Sequence, residues 1–403
     1  MIKIIKLILA FLFLPFWWLQ RLIPRDKNIF VFGSWNGEKY SDNSKALFEY
    51  ILMNENEIKP YWITKNKSIY LKLKEEKKPV ELAYSLKGWL ISLRAFFAFN
   101  DHSNDLNFYA LNGAKRICLW HGMPLKKIEY DTKYGLKFQG KDGKIFSKIK
   151  YKLIKTFAPY LINKKEPSIT ISSSDFFNKY LSTAFLITPN NIWLTGLPRT
   201  DCLYKEKTEK ITSELREKYN DVRIVIHMPT FRFSLYGGEV YNPFNEKSFN
   251  NKVFTDFLEN ENIVFLYKPH YYDKKFNYSI NTDRFILIDD NSYNDLYILI
   301  SNIDILITDY SSVYFDFLCL NKPAILTPFD IEFYIKEARE HYFDYNLLPS
   351  IKAYNWDELM NIITEKKYYT ISKDDADKFC KYNDGHASER CLKKILQLIE
   401  EKK

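Results

Sequence analysis

The chain has 403 residues, 46% apolar and 27% charged, a globular composition long enough for two full cores, which excludes a disordered protein. Its net charge of +9 favours anionic partners, but there is no zinc-finger spacing, RNP motif or basic recognition helix, so nucleic acid is set aside. Five scattered cysteines without a CxxC pair point to reduced core thiols rather than a disulfide frame.

At the N-terminus, Leu7 to Leu19 is apolar throughout, with Lys3 and Lys6 before it and Arg21 and Arg25 after it. This run is short for a membrane span and lacks a small-x-small cleavage site. Trp17-Trp18 beside arginine suits a bilayer interface, so residues 1–25 are expected to be a peripheral or monotopic membrane-associating segment rather than a buried helix.

From Asn28 the pattern alternates. Strands are expected at Asn28–Gly33, Pro60–Thr64, Val80–Tyr84, Ala95–Asn100, Arg116–Trp120, Ser168–Ser172 and Asn191–Thr195, with helical segments between most of them. Asp42-Asn43-Ser44 reads as the cap of a helix from Lys45 to about Asn54. Asp131–Lys165 is lysine-rich and reads as a loop followed by a helix, either a solvated insertion or a surface for an anionic substrate. A punctuated segment, Thr195–Asp201, ends the first half. The second half repeats the alternation at Arg223–His227, Ile263–Lys268, Arg284–Ile288, Ile303–Thr308 and Ala324–Thr327, and a final helix spans Ala387–Lys402. Strands alternating with helices predict an α/β fold with parallel sheets covered on both faces.

In such sheets ligands collect beyond the carboxyl ends of the strands. His121 follows one strand of the first half. In the second half, Arg232, Lys268-Pro269-His270 and Thr308-Asp309 lie at or just beyond successive strand ends, and Ser311-Ser312 opens a helix. This edge is cationic and rich in donors, as pyrophosphate recognition requires. The competing reading of Ser311 and Ser312 is simple helix capping. His121 and His270 are the histidines singled out for function. His102 and His341 read as ordinary surface groups, His227 as a core residue and His386 as a helix-start residue. No HExxH or HxxxH spacing appears, and the acidic pair Asp289-Asp290 reads as chance, so neither a metal nor a cofactor is expected.

These residues carry a family resemblance. Trp120-His121-Gly122-Met123-Pro124-Leu125-Lys126-Lys127 resembles the WHGTPLKK motif of the CDP-glycerol glycerophosphotransferases, the teichoic-acid and capsule polymerases, with Met123 where the family has Thr. Gly196–Asp201 is similar to its G-x-PR-x-D segment, Pro229–Arg232 to PTxR, Lys268–His270 to KPH and Thr308–Ser312 to TDYSS. Gly33–Leu47, with Ser41-Asp42-Asn43, and Asp384-Gly385 through Ser388-Glu389-Arg390 also match, in order.

The resemblance implies a GT-B fold: two Rossmann-like domains facing across a cleft, residues 26–203 for the acceptor and 204–383 for the CDP donor, with residues 384–403 crossing back. It implies transfer of glycerol or ribitol phosphate from a CDP-polyol to a hydroxyl of a lipid-linked polymer, at the cytoplasmic face of the membrane, with release of CMP. His121 would be the general base, and His270 would bind the donor phosphate and support the leaving group. Arg232, Ser311 and Ser312 would hold the pyrophosphate, Lys268 and Thr308 would line the donor site, and Asp309 would orient the turn. Two other classes are a GT-B enzyme using a nucleotide-sugar and a non-catalytic scaffold in a polymer-export complex.

Overall fold

The computed structural model describes residues 13–139, 141, 143–157, 166–205, 207–230, 232, 242–269, 280–289, 292–293 and 295–401. The chain forms two compact units. The first holds its residues up to 123, then Ile128–Asp201 and the chain from His386; the second holds Pro124–Lys127 and Cys202–Gly385.

In the first unit seven parallel strands are arranged β3-β2-β1-β4-β5-β6-β7. They are β1 Asp26–Gly33, β2 Lys59–Thr64, β3 Val80–Leu82, β4 Ala95–Asn100, β5 Lys115–Cys118, β6 Ile169–Ser172 and β7 Ile192–Leu194. β1 and β4 pair with Val31 opposite Ala98. Their β-branched and aromatic runs are buried on both faces because helices cover the sheet. Val31, Ile63, Ala98 and Leu111 form one such layer, and Phe30, Phe32, Phe97 and Phe99 pack ring on ring in another. The strand order reverses between β1 and β4, the position where doubly wound sheets open a crevice.

The second unit repeats the design with β8 Arg223–Met228, β9 Ile263–Tyr267, β10 Phe285–Leu287, β11 Ile305–Thr308 and β12 Ala324–Leu326 in the order β10-β9-β8-β11-β12. Ile307 lies opposite His227, and the switch point falls between β8 and β11. The core gathers Val225, Phe254, Phe265, Ile307 and Trp356, whose indole N–H donates to the Pro243 carbonyl (2.7 Å).

The final helix, Ala387–Glu400, belongs to the first unit, and Asp201 holds its start. The Asp201 carboxylate accepts from Ala387 N and Ser388 N, each at 2.8 Å, where a helix has unpaired N–H groups. Arg390 Nε donates to the Thr195 carbonyl (2.8 Å). The G-x-PR-x-D segment and the segment around Ser388 are thus two halves of one joint.

Residues 13–19 are helical and continue into the turn Gln20–Leu22. Trp17 is buried against Phe13, Leu14 and Ile154, and Gln20 Nε2 donates to the Tyr109 carbonyl (2.7 Å). The opposite side presents Phe16, Trp18, Leu19 and Leu22 to solvent, with Arg21 over the Trp18 ring. No helix among the described residues is long and apolar enough to cross a membrane. All five cysteines are free thiols.

Candidate active site

The first constellation is built at the carboxyl ends of β1, β4 and β5. Gly33 ends β1, and a Cβ there would meet Leu106 Cδ2 at 2.7 Å and the Asp105 carbonyl at 3.0 Å. That close approach lets the Asp105 carboxylate accept from Asn36 N (2.6 Å), Asp101 N (2.7 Å) and His102 N (2.6 Å), tying the β1 and β4 ends together. Beyond β5, Trp120 takes a left-handed backbone (φ 51°) and Gly122 has φ 133°. A tryptophan in that region is strained, and its surroundings hold it there.

The holding groups come from two motifs far apart in sequence. Asn43 Nδ2 donates to the carbonyls of Leu119 (3.2 Å) and Trp120 (2.6 Å), and its Oδ1 accepts from Arg199 N (3.0 Å). Arg199 Nη1 donates to the His121 carbonyl (2.9 Å) and to Asp42 Oδ1 (2.7 Å). Asp42 also accepts from Trp35 Nε1 (3.2 Å) and itself has φ 68°. The expected capping role of Asp42-Asn43-Ser44 is therefore corrected. The N-cap position is Ser41, which makes no side-chain cap bond, while Asn43 directly, and Asp42 through Arg199, hold the strained turn that presents His121.

His121 itself is half-buried. Its Nδ1 lies 3.3 Å from the Asp101 carbonyl oxygen. A carbonyl only accepts, so Nδ1 carries the proton and Nε2 carries the lone pair. The ring stacks face to face on His102, with centroids 4.0 Å apart and planes within 3°. Here the reading of His102 as a surface group is overturned. It is packed between His121 and Trp35, and burial, opposed by Asp42 and Glu129, pushes it down to about 4. A neutral ring there can stack on His121 in either charge state without repelling it. Beneath it, burial together with the Asp42 and Asp105 charges pushes Asp101 well above the carboxylate range.

The second constellation lies at the switch point of the other sheet. Thr308 Oγ1 donates to the Met228 carbonyl (2.7 Å), locking β11 to β8, so the hydroxyl expected to line the donor site is engaged by backbone. Asp309 accepts from Thr230 N (2.9 and 3.1 Å) and forms an ion pair with Arg232 Nη2 (2.6 Å). Burial alone would raise Asp309, but Arg232 and the Thr230 bond outweigh it and hold the carboxyl below its usual range. Arg232 is fully buried. Its Nε and Nη2 donate to Asp330 (2.7 and 2.9 Å) and its Nη1 to the Thr230 carbonyl (2.6 Å). The guanidinium expected on a pyrophosphate instead clamps two carboxylates beneath the Asp309 turn, sandwiched near the rings of Tyr310 and Tyr334.

Above that clamp, Ser311 and Ser312 are half-buried. Ser311 Oγ accepts weakly from Val313 N (3.4 Å), and Ser312 makes no side-chain cap bond, so capping does not account for this pair. Lys268 directly follows β9, with its ammonium 5.4 Å from the Tyr293 ring centre. His270 lies outside the described residues. His227 is buried among Phe265, Tyr267 and Trp356, with Nδ1 lacking a partner among the described residues, and burial takes it down to about 4. His341, expected at the surface, packs against Tyr310, Tyr334 and Tyr345.

The residues missed by the sequence reading are His102, Asp42, Asn43, Arg199 and Asp330. Asp42, Asn43 and Arg199 already stood inside recognised motifs, which was a usable signal; nothing local marked His102 or Asp330.

Comparison with known proteins agrees over nearly the whole chain. The profile of the CDP-Glycerol:Poly(glycerophosphate) glycerophosphotransferase family matches residues 16–397. The chain is 28% identical over 393 residues to a teichoic acid poly(glycerol phosphate) polymerase of Bacillus subtilis, covering 93% of this chain and 49% of that protein, so it spans about half of that relative's length. It is 28% identical to the teichoic acid glycerol-phosphate transferase of Staphylococcus aureus, covering 92% of this chain and 94% of that one. In structure it is similar to the wall teichoic acid polymerase TagF, with a TM-score of 0.69 at 22% identity, covering 94% of this chain and 90% of the other. The chain belongs to the CDP-glycerol:poly(glycerophosphate) glycerophosphotransferase family.

Proposed function

We propose that this protein transfers a polyol phosphate, glycerol or ribitol phosphate, from a CDP-activated donor to a hydroxyl of a lipid-linked acceptor in teichoic acid or capsular polymer synthesis, with the division of labour of a GT-B enzyme. The observation that carries the reading is His121, presented on a strained turn with its Nδ1 proton fixed by the Asp101 carbonyl. Nε2 takes the acceptor O–H proton as the oxygen attacks the polyol-bearing phosphorus. The bond from that phosphorus to the bridging oxygen breaks, and CMP leaves with the bond's electron pair. Donor binding is assigned to the second unit, to Ser311, Ser312, Lys268 and, by family resemblance, His270. Arg232 and Asp309 hold the turn in shape.

The membrane supplies the acceptor. The helix Ile145–Phe157 supports contact with its surface. Ile145, Phe146, Ile149 and Leu153 lie on one exposed stripe, and helical spacing puts Lys150 on one side of it and Lys148, Lys152 and Lys155 on the other. The exposed side of residues 16–22 adds to the same property.

Incubation with CDP-glycerol, CDP-ribitol and UDP-sugars, with a lipid-linked acceptor, tests the function. CMP release from a CDP-polyol is expected. Turnover of a UDP-sugar alone would assign the protein to sugar transfer, and no turnover of either class would leave a scaffold.

A further inference from the structure

Lys126 follows His121 by five residues, but it packs in the second unit. Residues 125–127 are fixed against 340–342: Tyr342 N donates to the Leu125 carbonyl (2.8 Å), Lys127 N to the Glu340 carbonyl (2.9 Å), and Lys126 bridges His341. The Lys126 ammonium sits 6.0 Å from the Tyr334 ring centre. That ring stacks on Tyr310 at 4.2 Å, and Tyr310 is the residue next to Asp309. The ammonium thus stands at the Tyr334–Tyr310 stack, which Arg232 also lies against, and Asp309 is near enough to act on it electrostatically.

Its electrostatic setting is unusual. Arg232, the neighbouring cation, is already clamped by Asp309 and Asp330. Lys126 has no carboxylate within ion-pair distance among the described residues, and neither has the exposed Arg339 beside it. Burial, then Arg339, lowers Lys126 to about 7; Asp309 opposes this and Arg232 adds to it. Two adjacent cations without counter-ions repel each other, and the arrangement becomes favourable when an anion arrives between them.

We propose that Lys126 and Arg339 are ligands of the donor's diphosphate, doing the work that the sequence suggested for Arg232. The proposal rests on the CDP-polyol reading above. As the diphosphate binds, the Lys126 amine takes a proton from the buffer and becomes the ammonium that the phosphate oxygens accept from. The groups facing Lys126 are Arg232, Arg339, Asp309, His341 and Tyr334. His341 is pushed down to about 4 by burial and by Lys126 itself, Asp309 stays ionised, and Tyr334 is raised by burial, so none of them changes charge near neutrality.

Isothermal titration of the full chain with CDP-glycerol, in buffers of different ionisation enthalpy, counts that proton. Uptake of about 0.9 proton is expected at about pH 8 and little at about pH 6, following from a group near 7 that becomes fully charged. Lys126→Met should abolish the uptake and weaken binding about ten- to a hundredfold. Lys126→Arg should restore binding without uptake, because a guanidinium is charged throughout. Arg339→Gln should weaken binding and reduce uptake at about pH 8, since Lys126 then titrates higher.

Binding by the parent without proton uptake, or uptake unchanged in Lys126→Met, overturns the assignment while leaving the CDP-polyol function standing. Equal affinity and uptake with inorganic phosphate alone would make this a general anion site and overturn it as a donor subsite. If the parent binds no CDP-polyol, the proposed function fails and this assignment falls with it.

Discussion

Replacing Arg232 by alanine removes the guanidinium that lies between Asp309 and Asp330, leaving two buried carboxylates and the Thr230 carbonyl without their donor. Breaking a buried ion pair from one side costs about 3–5 kcal/mol, because the remaining charge is left desolvated. For a unit of this size each kcal/mol moves the midpoint by roughly 2–4 °C, so the second unit should melt about 6–20 °C lower. Calorimetric melting together with urea unfolding measures this. The loss also has a pH signature. Asp309 is depressed in the folded state, so its pairing stabilises above the unfolded carboxyl value and is lost as the pH falls through the folded one. The gap between parent and Arg232→Ala should therefore narrow at acid pH. Converting Asp309 and Asp330 to Asn in the Arg232→Ala background should regain most of the stability. A midpoint shift under about 2 °C, with CDP-glycerol affinity selectively lost, would show that the guanidinium touches the donor and that the clamp argument is wrong.

His121→Ala should lower turnover about 10²–10⁴-fold while CDP-glycerol affinity survives, as expected of a base acting on the acceptor. His102→Ala should lower kcat about tenfold or more with the donor KM unchanged, and His102→Phe should restore most of it by keeping the stacked ring; equal losses in both variants would refute a positioning role. Ile149→Glu with Leu153→Glu should weaken sedimentation with anionic vesicles without lowering turnover on a soluble acceptor, and unchanged sedimentation would dismiss this helix as a contact. His227 is neutral and buried, near 4 when folded against 6.5 for the free group, so the unfolded chain binds the extra proton and stability is lost as the pH falls between those values. Its share of the slope is about 1.4 kcal/mol per pH unit, and His227→Phe should reduce the slope of urea-unfolding stability across that range by that share, leaving those of His102 and His341.

Every expected strand is present, with ends displaced by two residues at most, as between Val80–Tyr84 expected and Val80–Leu82 observed. That part of the fold was legible because burial on both faces of a parallel sheet leaves a continuous apolar run in the local sequence. The same holds for the placing of His121 and the Asp309 turn at strand ends, since each directly follows such a run. The last helix was legible as an amphipathic segment from Ala387, but its anchoring by Asp201 was not, because the partners lie 186 residues apart.

Sequence by itself determined the alternation of elements, the family and the residues at the carboxyl edges of both sheets, because periodicity and contiguous motifs are local properties. Only the tertiary structure decided what each charge faces. Arg232 looked free for a phosphate because nothing near it is acidic, yet the chain brings Asp309 and Asp330 onto it from far downstream. Lys126 stood in the sequence only as one letter of the Trp120–Lys127 motif, yet it packs beside Tyr334 within the electrostatic reach of Arg339, with no carboxylate at ion-pair distance among the described residues. His102 looked exposed, yet it lies flat against His121. In each case the chemistry follows from desolvation and from the nearest opposite charge, and long-range packing sets both.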